Sequence, residues 1–347
     1  MRRTVVVAVV VALAAISPPA VASAPLVVRP ELPRVTADAF HVVDAQTGAV
    51  LATRGATTSR PMASVTKLMT ALVVRQNADL DELVVISEAA AAVGEAEIDL
   101  VPGEVWSVRE LLSAIMVRSA NDAAYALAEH VGGSLEGFAA LMNRTAFELD
   151  LQRSHFVNPH GLDDPEHYTS ASDLVALAQA AMADPVIARL AMTKVVVFRD
   201  DPSGVPRRAI NTNRLLNAYP GVVGLKTGFT NRAGRVLVSV TRAGGRDIVV
   251  AVMGSEDHFA DTRELIEYAM STDRLFDRFA AGLVEGQGGG GSVGTLPLRA
   301  DERTRIASMA PLDPGQSATT ALADTKLGGE IDAWVRQRLP AVLGGRP

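Results

Sequence analysis

Ser64-Val-Thr-Lys67, Ser119-Ala-Asn121 and Lys226-Thr227-Gly228 occur in that order, and each carries one part of an acyl-transfer reaction. A serine hydroxyl is a weak nucleophile until a neighbouring base takes its proton. At the start of a helix, positions i and i+3 share a face, so the Ser64 hydroxyl and the Lys67 amine can meet. The positive end of that helix and a second lysine nearby disfavour the ammonium form, which suits Lys67 to the role of base. Ser119 offers a second hydroxyl to relay the proton to a leaving amine, and the Asn121 amide can hold a substrate carbonyl. Lys226 and Thr227 can bind a carboxylate by charge and hydrogen bond. Gly228, without a side chain, lets a substrate backbone lie close.

Singly, these motifs are weak. S-x-x-K and S-x-N each arise about once by chance in a chain of this length, and K-T-G in fewer than about one chain in ten. Ser64 alone reads as a helix cap beside a surface lysine, and Ser119-Ala-Asn121-Asp122 as an ordinary capping turn. Their order and surroundings make the case.

Those residues need elements to hold them. Ala39–Asp44 and Ala49–Thr53 flank Gln46-Thr-Gly48 as a β-hairpin. Val65, Leu68, Met69, Leu72 and Val73 fall at helical spacing, which predicts a helix from about Ser64 to Gln76. Further helices are expected near 107–118, 120–131, 134–149, 172–183 and 185–193, with Ser170-Ala-Ser-Asp173 as a capping signal. Arg235–Thr241 and Asp247–Met253 form a second hairpin, and a helix near 259–280 closes the domain. Strands at both ends with helices between them predict a mixed α/β fold. One antiparallel sheet would be built from the N- and C-terminal strands of the domain, flanked by helices and covered by a helical insert.

With 48% hydrophobic and 21% charged residues, the 347-residue chain can bury a large core. A net charge of −6 and 4% aromatics argue against a nucleic-acid partner. Arg2 and Arg3 precede an apolar run from Val5 to Ile16, and Ala20-Val-Ala22 supplies a cleavage site, so residues 1–22 read as a secretory signal. An uncleaved anchor is the rival, although a spanning helix needs about 20 apolar residues. Residues 23–34 form a proline-rich lead-in, 35–281 the main domain, 282–294 a Gly-rich linker and 295–347 a short tail. Within the tail, an amphipathic helix over 330–343 carries Trp334 on its apolar face and could rest on a membrane surface. Absence of cysteine removes disulfides and thiol chemistry. His155, His160 and His167 lack metal-ligand spacing, so no metal and no cofactor are expected, and His160 is read as shaping the wall of the site.

The segments VVDAQTGAVLATRGA, RPMASVTKLMTAL, LLSAIMVRSANDAAYALAEH, FVNPHGLDDPEHYTSASDLVALA and GVVGLKTGFTNRAG resemble those of the D-alanyl-D-alanine carboxypeptidases. These are low-molecular-mass penicillin-binding proteins, and S-x-x-K with K-T-G is their signature. The resemblance covers about residues 36–280 and implies a β-lactamase/transpeptidase-like fold. It implies Ser64 as the acylated nucleophile, Lys67 as its base, and Ser119 and Asn121 as proton relay and substrate guide. Lys226 and Thr227 would bind the terminal D-Ala carboxylate, and the N–H groups of Ser64 and Phe229 would form the oxyanion hole. The family also has a carboxylate-binding arginine after the second strand, for which Arg263 is the candidate. The implied partners are peptidoglycan stem peptides, with β-lactams as covalent inhibitors, and the implied location is the bacterial cell envelope or its exterior.

Three alternatives stay open at this level. The same site could cleave cross-links as an endopeptidase. It could act as a β-lactamase, although no glutamate segment is placed to activate a deacylating water. Or the chain could bind penicillin or peptidoglycan without catalysis, which the intact motifs oppose.

Overall fold

The computed structural model describes residues 31–285. The expected leader, most of the lead-in, the linker beyond Glu285 and the tail helix at 330–343 lie outside the described residues.

Two strands open the domain, β1 (Ala39–Asp44) and β2 (Val50–Arg54). A 3₁₀ turn at Ala63–Thr66 then leads into α1 (Lys67–Asn77). Next come β3 (Leu83–Val85), α2 (Glu88–Ala91), β4 (Val105–Ser107), α3 (Val108–Val117), α4 (Asn121–Gly132) and α5 (Leu135–Glu148). After a long loop, α6 (Ala171–Ala183) and α7 (Pro185–Met192) precede the small hairpin of β5 (Val195–Asp200) and β6 (Pro206–Ile210). The chain closes with α8 (Leu215–Ala218), β7 (Val222–Thr230), β8 (Gly234–Ala243), β9 (Arg246–Ser255) and α9 (His258–Glu285).

The main sheet has the order β2-β1-β9-β8-β7, with every neighbouring pair antiparallel. The N-terminal hairpin thus pairs with the C-terminal strands, from Ala39 opposite Met253 to Asp44 opposite Ile248. Burial on both faces explains why β9 is apolar without interruption from Ile248 to Met253. Ile248, Val250 and Val252 share a core with Leu265, Ile266 and Ala269 of α9. Val249, Ala251 and Met253 alternate to the other face and join the core of the helical block. Each such side chain contributes about 1.5–3 kcal/mol when fully buried. Gly244 and Gly245, both at positive φ, make the tight turn between β8 and β9.

Local signals start the helices. The Ser107 hydroxyl accepts from Glu110 N–H while the Glu110 carboxylate accepts from Ser107 N–H, a complete capping box for α3. Ser170 caps α6 by accepting from Asp173 N–H at 3.2 Å. Asp184 caps α7, with Pro185 in the first turn.

The expected mixed α/β architecture is therefore present, with three local departures. The α-helix begins at Lys67 rather than Ser64, because Ala63 sits at φ +49° and the chain runs through a 3₁₀ turn first. Lys-Thr-Gly lies inside a further long strand, β7, at the edge of the sheet, beyond the two strands expected at Arg235–Thr241 and Asp247–Met253. Last, α9 continues to Glu285, into the stretch expected as linker from Gly282. Leu283, Val284 and Glu285 carry no helix breaker, and the glycine run starts only after them.

Candidate active site

The 3₁₀ turn decides where the nucleophile points. Side chains at i and i+3 eclipse in this geometry, and Lys67 Nζ donates to Ser64 Oγ at 3.0 Å. Two pure acceptors hold the same amine, Asn121 Oδ1 and the His160 carbonyl, each at 2.7 Å. When the amine loses a proton it can keep its two bonds to those acceptors, and the contact with Ser64 then reverses, the lone pair accepting from the Ser64 hydroxyl.

The His160 carbonyl is aimed by the loop before α6. Thr70 Oγ1 donates to the Pro159 carbonyl at 2.6 Å, and Val157 N–H donates to His167 Nδ1 at 3.1 Å. That leaves His167 Nε2 as the N–H that donates to Thr66 Oγ1, which in turn donates to the Ala63 carbonyl at 2.8 Å. So His160 contributes to the wall of the site, as expected, through its backbone oxygen.

Lys67 is fully buried. Burial first, and then the charge of Lys226, push its amine well below the usual lysine range, against smaller opposing effects of Asp122 and Glu95. The helix end and Lys226 were the expected causes; loss of solvent is the larger one.

Ser119 follows the end of α3 at φ +68° and is nearly buried. Its hydroxyl accepts from Lys226 Nζ at 2.9 Å. Burial lowers the Lys226 amine to about 7. The next residue, Thr227, donates to Thr212 Oγ1 at 2.7 Å. Gly228 is set against the nucleophile's own turn: a Cβ there would lie 2.9 Å from Ser64 N and 3.0 Å from Ala63 Cβ. Only glycine lets β7 approach this closely. Phe229 beside it is half exposed and pairs in register with Arg235 of β8, whose guanidinium lies 5.3 Å from the Phe229 ring centroid.

Eight of the nine expected residues, Ser64, Lys67, Ser119, Asn121, Lys226, Thr227, Gly228 and Phe229, are thus brought together. Ser64, Ser119, Asn121, Thr227, Gly228 and Phe229 line a cleft of about 910 Å³, and the two lysines lie buried next to its hydroxyls.

Arg263 is the exception. It lies on the second turn of α9, more than half exposed, with Glu267 Oε1 3.8 Å from its Nε, and it does not line the cleft. His258, the first residue of α9, does line it. Five helical positions further on, a side chain is turned about 140° away. Arg214 and Arg235 line the cleft instead. Neither could be found from a motif: Arg235 reaches the site only through its register with Phe229, and that register depends on β7 being a strand.

A buried amine on a serine hydroxyl, a second serine on a second buried lysine, and a glycine-bearing edge strand define a serine acyl-transfer peptidase site. The chain belongs to the D-alanyl-D-alanine carboxypeptidase family, whose model matches residues 26–257. It is 34% identical to the D-alanyl-D-alanine carboxypeptidase DacF of Bacillus subtilis over 66% of its own length and 61% of the relative's. It is 37% identical to DacB2 of Mycobacterium tuberculosis over 64% of its length and 76% of the relative's. The match therefore spans about three-fifths of the Bacillus relative. The crystal structure of the Streptomyces K15 DD-transpeptidase superposes with a TM-score of 0.66 at 30% identity, covering 70% of this chain and 100% of that one.

Proposed function

We propose that this chain is an exported serine DD-carboxypeptidase that removes the terminal D-Ala from peptidoglycan stem peptides through an acyl-enzyme on Ser64. The observation that carries the reading is the Lys67 amine, buried and held by two acceptors, with its third bond on the Ser64 hydroxyl.

The substrate's terminal carboxylate is received by Thr227 and the charge of Lys226, with Arg214 and Arg235, which line the cleft together with Glu256 and Asp257, as candidates for the role first given to Arg263. Ser64 Oγ attacks the carbonyl of the penultimate D-Ala while its proton passes to Lys67. The oxyanion is held by the N–H groups of Ser64 and Phe229, which the absence of a side chain at Gly228 allows to converge. Proton transfer to the leaving amine runs through Ser119, whose hydroxyl is oriented by Lys226. D-Ala departs, and water cleaves the ester to regenerate Ser64. A β-lactam presents a strained amide and a carboxylate with the same spacing, so it acylates Ser64 by the same route.

The deciding experiment is D-Ala release from a diacylated Lys-D-Ala-D-Ala peptide, comparing the chain from Ser23 onward with its Ser64→Ala variant. Release by the first and not the second is expected. No release by either, with circular dichroism intact, would overturn the proposal. The name of the Streptomyces neighbour favours one variation, transfer of the acyl group to an amine rather than to water. Adding a glycyl acceptor peptide to the same assay and following the new amide product decides that partition.

A further inference from the structure

Thr212 belongs to none of the three motifs, yet its hydroxyl meets the one that receives the carboxylate. Thr227 Oγ1 donates to Thr212 Oγ1 at 2.7 Å, and both threonines are partly buried and line the cleft. The pair continues a hydrogen-bonded chain that starts at Ser119: Lys226 Nζ donates to Ser119 Oγ at 2.9 Å and to the Thr227 carbonyl at 3.0 Å. A threonine hydroxyl has one proton to donate. That of Thr227 goes to Thr212, whereas among the described residues no acceptor takes the proton of Thr212. Thr212 therefore holds the proton of this pair that is still available to a ligand.

The backbone around Thr212 is fixed by its neighbours. Thr212 N–H donates to the carbonyl of Val117, two residues before Ser119, at 3.2 Å. Asn211 Nδ2 donates to the Ala191 and Thr193 carbonyls at 3.3 and 2.9 Å, and Asn211 Oδ1 accepts from Asn213 N–H at 2.9 Å. Asn213 Oδ1 in turn accepts from Leu215 N–H at 3.1 Å. The two asparagine side chains hold the turn, and the hydroxyl between them is left to the cleft.

The charge of the cleft lining does not by itself select an anion, because Glu256 and Asp257 share it with Arg214 and Arg235. Directed donors can. Two hydroxyls in contact, one of them on the residue after Lys226, match the two oxygens of a single carboxylate. We infer that Thr212 is a second hydroxyl ligand of the substrate's terminal carboxylate. It donates to one carboxylate oxygen, while Thr227 turns its proton from Thr212 to the other. This rests on the carboxypeptidase reading above and adds a specificity-determining residue to it.

The test uses two N-benzoyl-D-alanyl thioesters, one with thioglycolate as leaving group and one with the methyl ester of thioglycolate. The first carries a carboxylate the same number of bonds from the reacting carbonyl as a terminal D-Ala does, and the second lacks it. Released thiol is read directly with a thiol reagent, since the chain has no cysteine. The ratio of kcat/KM for acid over ester cancels changes in the amount of active enzyme. In the wild type it should be about 100-fold, from two hydrogen bonds to a charged group. Thr212→Val should lower it about 10-fold, and Thr212→Ser, which keeps the hydroxyl, should hold it near the wild-type value. In a Thr227→Val background, Thr212→Val should lower the ratio again, because the contact is direct. No further loss there would leave Thr212 only orienting Thr227 and would overturn the inference, as would a wild-type ratio near unity or one that survives Thr212→Val. Absence of Ser64-dependent turnover of both thioesters would instead overturn the acyl-transfer reading on which the inference rests.

Discussion

At the scale of single residues, the proposed mechanism runs on two buried lysines that must hold opposite protonation states. Lys67 acts as a base only when neutral, and Lys226 holds a carboxylate only when charged. Burial lowers both amines, Lys226 to about 7 and Lys67, with the added charge of Lys226, well below the usual lysine range. Activity must therefore rise with pH as Lys67 loses its proton and fall as Lys226 loses its own. The expected kcat/KM profile is a bell whose alkaline limb lies near neutrality, several units below that of an ordinary lysine. Replacing Lys226 with Arg, which stays charged, should move that limb upward while lowering the maximum. Steady-state D-Ala release from pH 5 to 10 measures both. An alkaline limb that stays in place in Lys226→Arg would remove Lys226 from the role given to it.

At the scale of elements, the catalytic geometry depends on how closely β7 can approach the 3₁₀ turn. A Cβ on Gly228 would meet Ser64 N at 2.9 Å and the Met62 carbonyl at 3.2 Å. Both contacts are backbone, so neither can swing aside. Gly228→Ala should separate the strand from the turn by a few tenths of an ångström and spoil the oxyanion donors. Acylation by benzylpenicillin should fall about 100-fold, the scale of losing one such donor. Because the strand lies at the edge of the sheet, thermal stability should change little. A variant that acylates at the wild-type rate would show that this close approach is not needed. The same strand marks where sequence reasoning stopped. Ser64, Lys67, Ser119 and Asn121 were legible from motifs at the ends of strongly patterned helices. In β7, glycines at 224 and 228 interrupt the alternation that identifies a strand, so its register, and with it Arg235, was hidden. Arg263 was misplaced for a related reason, since the rotation of a helix relative to a cleft depends on its first residue.

At the scale of the whole molecule, the sheet is closed by its ends, and buried histidines tie the helical block to the loop before α6. The N-terminal segment is held by the Asp261 carboxylate of α9, which accepts from Thr36 N–H at 3.0 Å and Ala37 N–H at 2.9 Å. His160 and His167, in the loop that aims at Lys67, are both buried, and burial lowers them to about 3 and about 4. Their folded values lie below the unfolded value of about 6.5. The stability they contribute is therefore fully present above that pH and is lost as pH falls toward 4, where the unfolded chain takes up protons that the fold refuses. Each such histidine adds a slope of about 1.4 kcal/mol per pH unit across this window. His167 accepts from Val157 N–H at 3.1 Å, so protonating it destroys an acceptor as well. Urea unfolding at pH 7, 6, 5 and 4.5 should show stability dropping along this slope. In His167→Gln, whatever its stability at pH 7, the slope between pH 6 and 4.5 should be shallower by about one proton's worth. An unchanged slope would mean that His167 is already protonated in the fold, and the Thr66–His167–Val157 connection under the nucleophile would need a different donor pattern.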